Sequence, residues 1–343
     1  MLLALQQAEL VLLTESLADP TGYGRIVRDD GGRIVAIVEH KDATEEQLAI
    51  KEINTGIMAV NRARLEDWLS RIDNLNAKQE YYLTDIIARA VQGAAVIETI
   101  SPANEEEVMG INELKQLAYL ERHVQCERAN ALMKQGVTLA DPARLDIRGE
   151  LITGKDVYID CNAIFEGRVE LADGVRIGPN VLIKNALIKQ DVEILANSVI
   201  EDAVIGAGSR IGPFARIRPE TELAEHVHIG NFVELKKTRV APHSKINHLS
   251  YVGDSLIGSK VNIGAGTITC NYDGANKHQT VIGDRAFIGS DTQLIAPVSV
   301  GEGATIGAGS TITQDTPPNK LTLSRAKQIS IDKWQRPVKK VKD

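Results

Sequence analysis

An aliphatic residue returns every six positions from about residue 157 onward, and this beat limits the possible folds more than any other property of the chain. Ile205, Ile211, Ile217, Leu223, Ile229 and Leu235 form one unbroken run; Ile282, Ile288, Leu294, Val300, Ile306 and Ile312 form another. Between them stand Ile246, Val252, Ile257, Ile263 and Ile268, with occasional steps of five, and Ile159, Phe165, Leu171, Ile177 and Ile183 keep the beat upstream. A period of six matches neither an amphipathic helix nor a long simple strand. It suits short parallel strands wound into a β-helix. Alternate residues of a strand share a face, so Val175 with Ile177, Val227 with Ile229, and Val261 with Ile263 are expected to point inward together. The glycine that often follows the aliphatic residue lets the backbone bend at a corner without a Cβ clash. Three strands close a triangular coil of about 18 residues, coils stack at about 4.8 Å, and residues 157–315 make roughly nine of them. An antiparallel sandwich is the competing fold, and two runs of six in strict register argue against it.

Residues 1–150 have a mixed character. Glu9–Thr14, Ile34–Val38 and Ile57–Val60 are apolar runs of strand length, and Asp29-Asp30-Gly31-Gly32 supplies a turn. Arg62–Ile72 and Thr84–Val91 carry apolar residues at helical spacing. Asn112–Gln135 is the clearest helix, with Leu114, Leu117, Leu120, Val124 and Leu132 on one periodic stripe and Gly136 as a stop. The expected organisation is an α/β part over residues 1–111, a linker helix over 112–136, and a β-helix over 137–343 that ends in a basic tail.

A length of 343 residues suits two domains. The 39 Lys and Arg against 46 Asp and Glu leave a net charge of −7, a poor match to general nucleic-acid binding. Cys126, Cys161 and Cys270 are far apart, which suits a reducing compartment rather than a disulfide framework. No apolar run reaches the length of a membrane span, and Met1–Leu5 meets Gln6, Gln7 and Glu9 too soon for a signal peptide. A soluble, cytoplasmic protein is expected.

Two segments read as breaks in the beat, and long loops in a tight array often carry function. Lys236–Lys245 separates Leu235 from Ile246, and Thr269–Thr280 separates Ile268 from Ile282. Surface decoration is the alternative reading of both. His248 follows the first, close to Tyr251. An imidazole titrates near neutrality and could take a proton from an amine or hydroxyl as it attacks an acyl carbonyl. His226 and His228 alternate inside a regular coil and are expected to be exposed or packed. Arg218 and Lys236 could hold an anion, by a guanidinium fork and a point charge, or simply be solvated. The basic tail from Lys333 to Lys342 could neutralise a polyanionic cofactor or an anionic lipid, or aid solubility.

Longer stretches carry a resemblance. They are Asp19–Arg25 (DPTGYGR), Ile37–Asp42 (IVEHKD), Glu52–Gly56 (EINTG), Gln79–Ile86 (QEYYLTDI), Gly230–Lys237 (GNFVELKK), Val261–Lys277 (VNIGAGTITCNYDGANK) and Phe287–Gln293 (FIGSDTQ). Over nearly all its length the chain resembles the bacterial bifunctional N-acetylglucosamine-1-phosphate uridylyltransferase/glucosamine-1-phosphate acetyltransferase family. The resemblance implies a left-handed β-helix, an α/β part that is a remnant of a Rossmann-like nucleotidyltransferase domain, and a homotrimer with acetyl-CoA between neighbouring prisms. It implies acetyl-CoA-dependent N-acetylation of glucosamine 1-phosphate, a step toward UDP-N-acetylglucosamine for peptidoglycan and lipopolysaccharide. It also implies the roles of single residues. His248 is the base; Arg218 and Lys236 hold the sugar phosphate; Tyr251 and Asn262 orient the hexosamine. Acetyl-CoA is met by Ala265, Asn271, Tyr272, Ser290, Ala308 and Arg325, with Lys277 nearby. Transfer is direct, so Cys270 is structural.

In its first part the sequence departs from the family. A phosphate-binding loop of the form G-x-G-T-R and a later Gly-Asp pair whose Asp binds magnesium are both missing from these residues. What remains resembles the uridine-sugar side of that pocket: Gly24, Glu39, Asn54 and Asn112. Asn112 is the family's second magnesium ligand by this resemblance, or a helix N-cap. Uridylyl transfer is expected to be absent or negligible, and the sheet to expose an unpaired edge. Two other classes compete: a zinc-dependent β-helical hydratase using His226, His228 and His248, and a non-catalytic scaffold.

Overall fold

The computed structural model describes residues 1–75, 79–111 and 113–339, and the chain divides into two units, Met1–His123 and Val124–Asp343. Among the described residues the first unit has one five-stranded sheet. Its strands are β1 (Leu10–Ser16), β2 (Arg25–Arg28), β3 (Ile34–Val38), β4 (Glu52–Val60) and β5 (Ile97–Ile100), in the order β3-β2-β4-β1-β5. β5 is parallel to β1, and the other neighbours are antiparallel. Its helices are α1 (Glu45–Leu48), closed by a capping box between Thr44 and Gln47, α2 (Arg62–Leu69) and α3 (Ile86–Gln92). Leu10 and Leu12 of β1, Ile26 of β2, and Ile34 and Ile37 of β3 pack with Trp68, Ile86, Ile87 and Ala90 of α2 and α3. β3 coincides with the expected strand, whereas β4 starts at Glu52 rather than Ile57 and α2 stops at Leu69 rather than Ile72. β2 and β5 are each four residues long, too short to display an alternation that sequence alone could reveal.

The division between the units falls inside the helix α4 (Leu114–Lys134), one residue of whose expected span, Asn112, lies outside the described residues. The second unit begins with the rest of α4. Ala129 and Leu132 enter the same apolar core as Val137, Leu145 and Ile147, and the buried Gln125 side chain donates to the Ile147 carbonyl and accepts its N–H, at 3.0 and 2.8 Å. The helix thereby covers apolar side chains that an unpaired first coil would expose.

Beyond it runs a parallel β-solenoid. One column of short strands, from Thr138–Leu139 to Leu321–Thr322, forms an eleven-stranded sheet. Arg176, Glu193, Arg210, His228, Lys245 and Asn262 stand in register up this column, so that successive coils keep nearly the same length. Val175, Ile177, Val227, Ile229, Val261 and Ile263 are all buried, as the alternation requires. Most positive-φ corners are occupied by residues other than the glycines of the beat, Gly212 excepted: Asn162, Asn180, Asn197, Phe214, Phe232 and Leu249 follow one another up one edge. The glycines answer to close approach between coils instead. A Cβ on Gly206 would stand 2.3 Å from the Ala224 carbonyl carbon, and one on Gly230 would stand 2.0 Å from the Asn247 carbonyl oxygen.

One expectation is corrected. Lys236–Lys245 is no break: Glu234–Val240 is a strand that pairs in register with Tyr251–Ile257, and Val240 is a buried core residue between Leu235 and Ile246. The beat takes one step of five there and one of six, and the reading of a loop passed over Val240. The second segment is a real excursion. Asn262 pairs with Phe287, so that this coil is longer than the ones before it, and Tyr272 and Lys277 bridge across a small antiparallel turn within it. Among the described residues no helix is long and apolar enough to cross a membrane.

Candidate active site

The register of the coils lines up residues that lie far apart in sequence. The carbonyl of Asn231 accepts the N–H of Leu249, that of His248 the N–H of Gly266, that of Ala265 the N–H of Asp291, and that of Ser290 the N–H of Gly309. Asn231, His248, Ala265, Ser290 and Ala308 therefore occupy one position on five successive coils. At the end of this ladder the Arg325 guanidinium donates to the Ala308 carbonyl at 2.7 Å. Small residues above His248 leave the ladder open on its outer side. Beside it the corner residues Phe214 and Phe232 stack with ring centroids 5.3 Å apart, and Leu249 is 64% exposed.

His248 ends the strand Lys245–His248 and its side chain is exposed. Its Nδ1 lies 2.8 Å from the Asn231 side-chain oxygen. An amide oxygen only accepts, so in the neutral ring Nδ1 carries the proton and Nε2 the lone pair. Asn262 lies outward on the next strand of the same column, paired with Lys245 on one side and Phe287 on the other.

Around the corner formed by Leu249 and Ser250, a cationic cluster occupies the adjacent sheet. Arg216 and Ile217 pair with Glu234 and Leu235, and these with Tyr251 and Val252, so Arg218, Lys236 and Gly253 follow in successive coils. Arg218 forms a 2.6 Å ion pair with Glu234, which raises the guanidinium above its ordinary value. Lys236 and Lys277 meet through their terminal nitrogens, and a hydrogen bond donated by Lys277, with its charge, lowers the Lys236 ammonium below the ordinary lysine value. Lys277 comes from the long coil, so the excursion returns a cation to this cluster. Asn271, 6% exposed, donates to the Asp254 carboxylate at 2.6 Å.

The excursion itself is braced. The Asp273 carboxylate accepts from the N–H groups of Asn276 and Ala275 and bonds the His278 ring at 2.6 Å, contacts that hold it well below the usual carboxylate range. Tyr272 is exposed, its hydroxyl on the Gly274 carbonyl at 2.5 Å. Cys270 is half-buried, and burial pushes its thiol up, away from the thiolate a nucleophile needs.

In the first unit, Gly24, Glu39 and Asn54 are brought together. The Asn54 N–H donates to the Gly24 carbonyl at 2.8 Å, and a Cβ on Gly24 would stand 3.5 Å from both Glu39 carboxylate oxygens. Thr84, which the sequence did not single out, donates to Glu39 at 3.1 Å. Asn112 lies outside the described residues. Among the described residues no three His, Cys, Asp or Glu side chains gather as a metal would require. His226 stacks on His243 at 5.2 Å rather than on His228 or His248.

Residues 147–250 match the family described as GMPPB C-terminal domain, and residues 279–314 match the bacterial transferase hexapeptide family of six repeats. The chain is 61% identical over 338 residues to the bifunctional protein GlmU of Methylococcus capsulatus, covering 98% of this chain and 73% of the relative. It is 61% identical over 334 residues to that of Ralstonia pickettii, covering 97% of this chain and 73% of the relative. The crystal structure of the Arabidopsis UDP-N-acetylglucosamine acyltransferase aligns with 52% of this chain and 69% of its own, at 16% identity and a TM-score of 0.41.

Proposed function

The chain belongs to the bifunctional GlmU family, and from that premise we propose that it transfers the acetyl group of acetyl-CoA to the amine of glucosamine 1-phosphate. Its second unit, a left-handed parallel β-helix of hexapeptide repeats, carries the reaction. The observation that supports this reading most is the Nδ1-bonded His248, whose Nε2 lone pair faces outward at the foot of a ladder of small residues. As the amine attacks the thioester carbonyl, Nε2 takes its proton; the C–S bond then breaks, and the CoA thiolate leaves with that proton. Arg218 and Lys236 bind the sugar phosphate, and Lys277 stands with the acetyl-CoA residues beside them. Tyr251 and Asn262 orient the hexosamine. Ala265, Asn271, Tyr272, Ser290, Ala308 and Arg325 meet acetyl-CoA. No enzyme-bound acyl group is needed, in keeping with the raised Cys270 thiol.

His248 and the cationic cluster lie on two sides of one edge, which suits a crevice shared between chains. We take the assembly to be a homotrimer, in which a neighbouring prism covers the exposed Phe214, Phe232 and Leu249. We place the enzyme in the cytoplasm, a reducing compartment that suits its three widely separated cysteines. Magnesium, which the resemblance assigns to the uridylyltransferase site alone, is given no step in the acetyl transfer.

The test is mass-resolved acetylation with acetyl-CoA, comparing glucosamine 1-phosphate with glucosamine. One added acetyl group on the phosphorylated sugar, with little on glucosamine, is expected. No acetylation of either refutes the reading.

A further inference from the structure

We propose that Asn231 is the positioning residue of the acetyl transfer, holding His248 in the tautomer whose Nε2 can accept the proton. The inference rests on the acetyltransferase reading for its kinetic part only. Asn231 lies one coil before His248 and pairs with it directly across the coil boundary, in the same ladder as Ile229 against Ile246. The coils come close at this point because residue 230 is glycine, where any Cβ would stand 2.0 Å from the Asn247 carbonyl oxygen. That approach leaves 2.8 Å between the Asn231 amide oxygen and His248 Nδ1.

An exposed imidazole with no partner populates both neutral tautomers and turns about its side-chain torsions. A single acceptor on Nδ1 removes both freedoms: Nδ1–H is fixed, and Nε2 remains a pure acceptor. When Nε2 gains the amine proton, the imidazolium still donates Nδ1–H to the same oxygen, so no group has to reorganise during proton transfer. Asn231 touches neither substrate in this scheme and acts through His248.

The experiment uses the full chain labelled with 15N-histidine, as wild type, Asn231→Ala and Asn231→Asp. In the wild type the His248 resonances, assigned by their loss in His248→Ala, should report a protonated Nδ1 and a bare Nε2. Asn231→Ala should mix the two tautomers and lower kcat roughly tenfold or more while KM for the sugar holds. Asn231→Asp keeps an acceptor oxygen and should restore the single tautomer and most of kcat. A wild-type His248 with bare Nδ1, or an Asn231→Ala protein with unchanged tautomer and kcat, overturns the proposal. If wild-type protein showed the expected tautomer yet acetylated nothing, the acetyltransferase reading would fail while the placement of the proton by Asn231 stood.

Discussion

Gly253 lies directly beneath the Tyr251 side chain: a Cβ at residue 253 would stand 2.5 Å from the Tyr251 hydroxyl oxygen and 2.7 Å from the Asn271 amide nitrogen. The missing side chain is what lets the ring lie along the sheet toward the next coil. Gly253→Ala should push the phenol off this face while the buried neighbours Val252 and Ser255 keep the coil intact. The expected result is a several-fold higher KM for glucosamine 1-phosphate with a nearly unchanged melting temperature. Steady-state kinetics beside a thermal melt checks both halves.

The anion cluster makes a second prediction. Lys236→Ala removes a point charge from the pair with Lys277 and should raise KM for glucosamine 1-phosphate about tenfold. The KM of glucosamine, which has no phosphate, should barely move. Because the hydrogen bond and charge of Lys277 lower the Lys236 ammonium, Lys236 loses its positive charge at a lower pH than an ordinary lysine would. Affinity for the sugar phosphate should therefore weaken on the alkaline side earlier than in Lys277→Met, where Lys236 regains its ordinary behaviour.

Stability should respond to acid through His228. Burial, with Arg210, Lys245 and His248 around it, lowers this imidazole below its ordinary value of 6.5. The folded chain then binds the proton less readily than the unfolded one, so the stability tied to neutral His228 is complete above that value and is lost as pH falls below it. Melting temperatures of wild type and His228→Asn, taken between about pH 7.5 and pH 5, should converge on acidification. Parallel curves would remove His228 as a cause.

The core of the solenoid carries a fourth prediction. Ile229 is fully buried between Ile211 and Ile246 of the neighbouring coils. Ile229→Ala should cost about 2–5 kcal/mol in chemical denaturation. Since each coil contacts only its neighbours, the loss should appear in hydrogen exchange around residues 211–246 before it reaches the coils near Ile177.

The coil interior was legible because one chemical rule, an aliphatic residue recurring at inward positions, repeats without regard to what the outer face does; it failed at Ile268, which is 39% exposed, because the inward position there belongs to the buried Thr269. Val175 with Ile177 and Val227 with Ile229 follow from that rule alone. The same rule misled at Lys236–Lys245, where basic side chains on the outer face drew attention away from the inward Val240. Asn231 was passed over for a different reason. Its importance lies in which residue sits one coil away, and that depends on the length of each coil, which varies along the solenoid. Counting back one coil from His248 along the beat, once Val240 is restored to it, finds Asn231. Gly253 and Thr84 were hidden likewise, since their neighbours are set by the fold rather than by adjacency in sequence. In the first unit, where no repeat exists, strands as short as β2 and β5 carry too little pattern to be read.

The most direct measurement is the rate of acetyl transfer to glucosamine 1-phosphate by His248→Ala beside the wild type, with circular dichroism showing both equally folded. Loss of the Nε2 acceptor should lower kcat by about 10²- to 10⁴-fold. A variant that acetylates the sugar at the wild-type rate would contradict the assignment of His248 as the base.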